Sequence, residues 1–311
     1  GTIATSHPAA CSAVARPSFA GNNAMTTPFI ENFQPLARDY DVLLCDVWGV
    51  IHNGLAAFPA ACDALLRFRE RGGTAILITN APRAGESVAR ILDRLGVPRD
   101  AYAAITSSGD VTRGIVASRL PQTVFHLGPE RDLSIFAGLD VTFAALEAAD
   151  YVVCSGLFDD TTETPASYRD MLAAMRARSL FMVCANPDMV VERGDTLVYC
   201  AGALADAYAA LGGAVLYCGK PHAPIYDAAL QTAAALRGGI APARRRVLAI
   251  GDSVRTDLKG AAAFGLDYMF VTSAIHAEEY GSRDAPDMAA LNATFTAATV
   301  APKAVMRALV W

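Results

Sequence analysis

Leu43-Leu44-Cys45-Asp46-Val47-Trp48-Gly49-Val50 decides how this chain is read. An apolar run that ends in a single carboxylate and then breaks at glycine is the pattern of a buried parallel strand. Such a strand delivers its acid to the carboxyl edge of a sheet, where α/β proteins keep their chemistry. Strand alternation turns Cys45 to the face opposite Asp46, so its thiol is expected to pack rather than react.

Outward from this run, strand and helix signals alternate, which argues for a parallel sheet covered by helices. Further core strands are predicted at Thr74-Thr79, Ala214-Cys218, Arg246-Gly251 and Tyr268-Thr272. Ala61, Ala64, Leu65 and Phe68 fall at helical spacing and stop at Gly72-Gly73; Val88, Ile91, Leu92 and Leu95 repeat the pattern and stop at Gly96. The middle of the chain has its own strands at Thr123-Leu127, Tyr151-Ser155 and Leu180-Ala185, with helices from Pro165 to about Arg178 and over Leu204–Leu211. The predicted fold is α/β: a Rossmann-like parallel-sheet core formed by residues 33–120 plus 214–311, with an inserted α/β unit at 121–213. Residues 1–32, rich in Ala, Ser, Thr and Pro, read as a flexible leader or extension and make a poor secretory signal.

The bulk numbers agree with an enzyme that folds around large cores. A chain of 311 residues, 53% hydrophobic and 18% charged, can bury two lobes. Its net charge of -5 offers no basic field for nucleic acid, and Arg244-Arg245-Arg246 reads as a solvated turn before a strand. No apolar stretch approaches the roughly 20 residues of a membrane span. Seven cysteines, an odd number without a C-x-x-C pair, point to packing in a reducing, cytoplasmic setting rather than to disulfides or zinc. No G-x-G-x-x-G follows a strand, which argues against a dinucleotide-dependent dehydrogenase.

Four segments are expected at the carboxyl ends of core strands: Asp46 with Gly49; Thr79-Asn80; Gly219-Lys220-Pro221; and Gly251-Asp252-Ser253 with Asp257. Each alone is ordinary, since a strand-end Asp is common and Thr-Asn can cap a helix. Their common placement and order are not ordinary. Asp46 and Asp252 offer hard oxygens suited to Mg2+. A phosphate dianion repels an attacking carboxylate, so such a site also needs a cation and fixed donors.

The set resembles the haloacid dehalogenase superfamily, and within it the phosphatases with a large α/β cap inserted between the second and third motifs. Ala185-Asn186-Pro187-Asp188 and Gly202-Ala203-Leu204 extend the likeness into the inserted unit. The resemblance implies a Mg2+-dependent phosphatase acting on a small phosphorylated metabolite, with no nucleic-acid or membrane partner and with caps that often pair two protomers. Asp46 would be the nucleophile that becomes an aspartyl-phosphate. Thr79, the Asn80 amide and Lys220 would hold phosphoryl oxygens, and the metal would sit on Asp46, Asp252 and the carbonyl of Trp48. Asp257 and Ser253 would support that shell, while Trp48, His52, Asn186 and Asp188 would help to select the substrate.

Two departures matter. Ala81-Pro82 follows the Thr-Asn pair where relatives have a further asparagine. Trp48 stands where such phosphatases place the aspartate that protonates the leaving alkoxide, and general acid–base help is worth about 10²–10⁴ in rate. His52 is the sequence's candidate substitute, with a turn or surface role as its plain reading. The expectation is a slow phosphatase, with a rival: a protein that binds a phosphorylated ligand as a sensor or partner module without turning it over.

Overall fold

The computed structural model describes residues 26–193, 196–272, 281 and 286–311. In chain order its strands are β1 (Val42–Asp46), β2 (Thr74–Thr79), β3 (Ala104–Ser107), β4 (Val124–Leu127), β5 (Tyr151–Cys154), β6 (Phe181–Cys184), β7 (Val190–Arg193), β8 (Thr196–Tyr199), β9 (Ala214–Tyr217), β10 (Val247–Gly251), β11 (Asp267–Val271) and β12 (Ala304–Met306). The helices are α1 (Gln34–Ala37), α2 (Pro59–Glu70), α3 (Gly85–Leu95), α4 (Ser108–Arg119), α5 (Arg169–Ala177), α6 (Ala201–Ala210), α7 (Ala223–Leu236), α8 (Lys259–Phe264) and α9 (Met288–Ala298).

Six strands form one parallel sheet in the order β12-β11-β10-β1-β2-β3. The five residues of β1 are all buried, because the sheet is covered on both faces. Leu43 and Cys45 pack into one core with Leu65 and Phe68 of α2 and Val88 and Leu92 of α3. Val42 and Leu44 pack into the other, with Ile225 and Tyr226 of α7, Phe264 of α8 and Phe295 of α9. This two-sided burial explains why β1 reads as continuously apolar rather than alternating.

A second parallel sheet, β4-β5-β6-β9, lies between β3 and β10 in the chain. Its one face carries α5 and α6 through Leu172, Met175, Leu204 and Tyr208. The strand at Ala214, expected in the core sheet, belongs here: β9 pairs with β6 from Phe181↔Ala214 to Cys184↔Tyr217. The inserted sheet therefore runs to Tyr217 and not to 213, and Lys220 follows a strand of this sheet rather than a core strand.

The short strands β3, β12 and the antiparallel pair β7-β8 have no counterpart among the sequence expectations. The first 25 residues of the expected leader lie outside the described residues. Its end is tied down: Ile30 N donates to Val305 O at 2.9 Å and Val305 N to Pro28 O at 2.9 Å. This pairing covers the outer edge of β12, a position where an unpaired strand would invite association. No helix among the described residues is long and apolar enough to cross a membrane. Cys45, Cys62, Cys154, Cys184 and Cys218 are buried.

Candidate active site

Asp46 is the last residue of β1, and the chain turns immediately beyond it. Ile51 N donates to Val47 O at 2.9 Å and Gly49 N to His52 O at 2.8 Å, with Gly49 at φ 82°. That left-handed conformation explains a glycine after Trp48. β2 ends beside β1 at Thr79, whose hydroxyl accepts from Ala81 N at 3.3 Å. β10, the other neighbour of β1, ends at Gly251 and hands over to Asp252. A π-helical turn, Val254–Leu258, then carries Asp257 back to the strand ends; Ser253 Oγ caps it by accepting from Thr256 N at 3.3 Å. Gly251 is required there, since a Cβ would lie 2.2 Å from Asp257 Cγ.

Lys220 reaches this cluster from the far side, through the loop after β9. Its ammonium lies 2.6 Å from Asp46 Oδ1 and 2.6 Å from Asp257 Oδ1, and all three residues are buried. The Lys220 main chain is fixed by Asn80: Lys220 N donates to Asn80 Oδ1 at 2.7 Å, and Asn80 Nδ2 donates to Lys220 O at 2.9 Å. Asn80 Nδ2 also donates to Asp188 Oδ1 at 2.9 Å, joining the loop after β6 to the core. Asn186 Oδ1 accepts from Asp188 N at 3.1 Å, which shapes that loop as an Asx turn. Gly219 allows the approach, because a Cβ would stand 2.4 Å from Asn80 Oδ1 and 2.7 Å from Pro187 Cδ.

Carboxylate oxygens of Asp46, Asp252 and Asp257 all lie within 4.8 Å of one another. One ammonium cannot neutralise three buried carboxylates, and the imbalance falls on Asp252 and Asp257. Burial, followed by the Asp46 charge, pushes Asp257 up to about 6. Burial and the charges of Asp46 and Asp257 raise Asp252 well above the usual carboxylate range. Burial alone would lower Lys220, but Asp257 and Asp46 outweigh it and hold the ammonium well above its ordinary value. An excess of hard, buried oxygen donors fits a small divalent cation, for which this carboxylate cluster offers ligand atoms.

The structure thus brings together Asp46, Asn80, Lys220, Asp252, Asp257, Ser253 and, from the inserted unit, Asn186 and Asp188. It places Trp48 and His52 on the rim turn instead. The indole is 37% exposed and lies over the turn, with Nε1 3.5 Å from where a Gly54 Cβ would be. His52 is buried, and its Nδ1 accepts from Gly54 N at 2.9 Å. Burial holds its imidazole below the ordinary value, so it is neutral at physiological pH. The Asn80 carboxamide is the part of the site that the sequence reading missed, having assigned only the Asn80 backbone amide. A Thr-Asn pair carries no sign that the side chain will grip a peptide 140 positions away.

This chain belongs to the haloacid dehalogenase-like hydrolase family. A model of haloacid dehalogenase-like hydrolases matches residues 43–142, and a second HAD hydrolase-like model matches residues 217–300. A haloacid dehalogenase-like hydrolase from Brucella suis is 46% identical, with a TM-score of 0.78 over 91% of this chain and 100% of that one. A possible sugar phosphatase from Cytophaga hutchinsonii shares the fold at 19% identity, with a TM-score of 0.73 over 91% of this chain and 99% of that one. D-glycerol 3-phosphate phosphatase of Mycobacterium tuberculosis is 27% identical over 245 residues, which cover 78% of this chain and 65% of the mycobacterial protein.

Proposed function

We propose that this chain is a Mg2+-dependent phosphohydrolase of small phosphorylated metabolites, of the sugar phosphate, nucleotide or cofactor phosphate class, working through Asp46. The observation that carries the reading is the buried Lys220 ammonium, 2.6 Å from both Asp46 and Asp257, beside Asp252. A bound Mg2+ supplies charge neutralisation for the phosphate dianion. Asp46 and Asp252 hold it, with the carbonyl of Trp48 as the expected further ligand. Lys220, the Thr79 hydroxyl and the Asn80 amide bind the phosphoryl oxygens, which lowers the repulsion that Asp46 meets as it attacks phosphorus. The phosphoryl group then resides on Asp46 until water removes it. Asp257 orients Lys220, and the inserted unit acts as a cap that brings Asn186 and Asp188 to the substrate. The buried thiols fit a cytoplasmic setting.

The test is phosphate release from aryl, acyl, sugar and glycerol phosphates, with and without Mg2+, in wild type and Asp46→Asn. Glycerol phosphate belongs in the panel because the mycobacterial relative is named for it. Mg2+-dependent turnover that Asp46→Asn abolishes is the expected result. A second reading, binding of a phosphorylated ligand without turnover, is favoured by Trp48 in the place of a proton-donating aspartate. Tight binding of phosphate esters by a wild-type protein that releases no phosphate would establish it.

A further inference from the structure

A leaving alkoxide needs a proton, and the indole of Trp48 cannot give one. Among the groups at the site, His52 is a poor replacement: its Nδ1 already accepts from Gly54 N, and the neutral ring's remaining N–H is a very weak acid. Asp257 is paired to Lys220, and Asp252 belongs to the proposed metal set. Asp188 is committed to neither. It enters on the loop after β6 with both of its main-chain groups anchored, its N–H on Asn186 Oδ1 at 3.1 Å and its carbonyl accepting from Gly202 N at 3.2 Å. Its Oδ1 accepts from Asn80 Nδ2 at 2.9 Å, next to the amide proposed to bind phosphate.

We propose that Asp188, presented by the cap, is the general acid–base of this site and replaces the aspartate that position 48 lacks. The proposal rests on the reading of Asp46 as nucleophile. In the first step the bond from Asp46 oxygen to phosphorus forms as the ester P–O bond breaks. The electron pair goes to the leaving oxygen, which takes the proton of Asp188 and departs as an alcohol. In the second step water attacks phosphorus and gives a proton to the Asp188 carboxylate. The bond from phosphorus to Asp46 breaks with its electron pair returning to the carboxylate, and inorganic phosphate leaves.

The surroundings of Asp188 suit an acid that must hold its proton. Burial raises its carboxyl above the ordinary value, with the Asp257 charge acting in the same sense. The Asn80 amide and the charges of Lys220 and Arg255 act in the opposite sense. Asp188 also closes the contact between cap and core through Asn80, so the donor is in place only when the two units are together.

Asp188→Asn separates the chemical role from the structural one, because the carboxamide keeps an acceptor for Asn80 and loses only the acid. With Mg2+ present, the expected result is a fall in kcat/KM on glycerol phosphate of about 10²-fold, against a change below about threefold in kcat/KM on p-nitrophenyl phosphate, whose leaving phenolate needs no proton; kcat falls on both, because hydrolysis of the phosphorylated Asp46 loses its base in either case. The basic limb of the wild-type pH–rate profile on glycerol phosphate should vanish in the variant. Trp48→Asp added to Asp188→Asn should restore turnover of glycerol phosphate. Equal losses of kcat/KM on both esters, or no loss on either, would overturn the proposal while leaving the phosphatase reading intact. Failure of the wild type to release phosphate from either ester would overturn that reading, and the proposal with it. A circular-dichroism melt of each variant guards against misfolding as the cause of a loss.

Discussion

The Asn80 carboxamide and the Lys220 peptide form a reciprocal pair: Oδ1 accepts from Lys220 N at 2.7 Å, and Nδ2 donates to Lys220 O at 2.9 Å. The pair fixes the backbone from which the ammonium reaches Asp46 and Asp257. A long flexible side chain is thereby held at a defined height over Asp46, and its freedom is restricted before any ligand binds.

Asn80→Ala should unfasten that peptide. Leaving the buried Lys220 N–H and C=O unpaired costs about 1–3 kcal/mol each, and a shift of the ammonium should lower kcat about 10-fold to 10²-fold. Gly219→Ala should give the same phenotype by a different route, because its Cβ would fall 2.4 Å from Asn80 Oδ1. Steady-state kinetics and thermal melts of the two variants check this. Wild-type rates in both would refute the fastening role.

Lys220→Met removes the positive charge from a buried group of three carboxylates. Turnover should fall below detection, and the metal-free protein should lose about 3–5 kcal/mol of stability, the usual cost of leaving buried charge without its partner. Mg2+ should recover part of the loss. Urea unfolding with Mg2+ and with chelator measures both effects, and a variant as stable as wild type in chelator would contradict the charge account.

Trp48→Asp should increase kcat on glycerol phosphate by about tenfold and change p-nitrophenyl phosphate hydrolysis little, since the new carboxyl adds a second proton donor. The Mg2+ requirement should persist, because the change leaves the main-chain carbonyl at position 48 in place. A loss of binding for both esters would show instead that the indole holds the substrate.

The cap carries a separate pH response. His126 of β4 is hydrogen-bonded to Ser155 Oγ at 2.9 Å and lies edge-on to Phe136, and burial holds its imidazole down at about 4. In the unfolded chain it titrates near the ordinary 6.5, so between these values the unfolded state binds the extra proton. Stability from this residue is complete above pH 6.5 and is lost as the pH falls towards 4. The shift corresponds to about 3 kcal/mol, reduced to about 1–2 kcal/mol by solvent screening. Urea midpoints at pH 7 and pH 5 should differ less in His126→Gln than in wild type; an equal difference would exclude His126 as the source.

Legibility followed the length and directness of each signal. β1, β2 and β10 were readable because strands buried on both faces are continuously apolar, and α2 and α3 because their apolar stripes end at glycine. β12, of three residues, is too short to show a period, and β3, Ala104-Ile105-Thr106-Ser107, has a single large apolar residue to mark it as a buried strand. β9 was recognised as a strand, but its sheet was not: a buried parallel strand reads the same whichever sheet receives it. At the site, the residues that carry charge were visible as types at strand ends. The Asn80 clamp was not, since a carboxamide's partners depend on how two distant loops meet. The same limit kept His52 among the candidates until its ring was found turned to its own loop.

Because β9 ends at Tyr217, two residues, Cys218 and Gly219, separate the inserted sheet from the lysine that serves the core. This short seam sets a rule for transplantation. A foreign cap could be grafted between residue 120 and Cys218 with internal loops of many lengths, but its last strand would have to leave at the height and direction of Tyr217. One residue more or fewer at that exit would take the ammonium away from Asp46, however well the new cap folded or recognised its ligand.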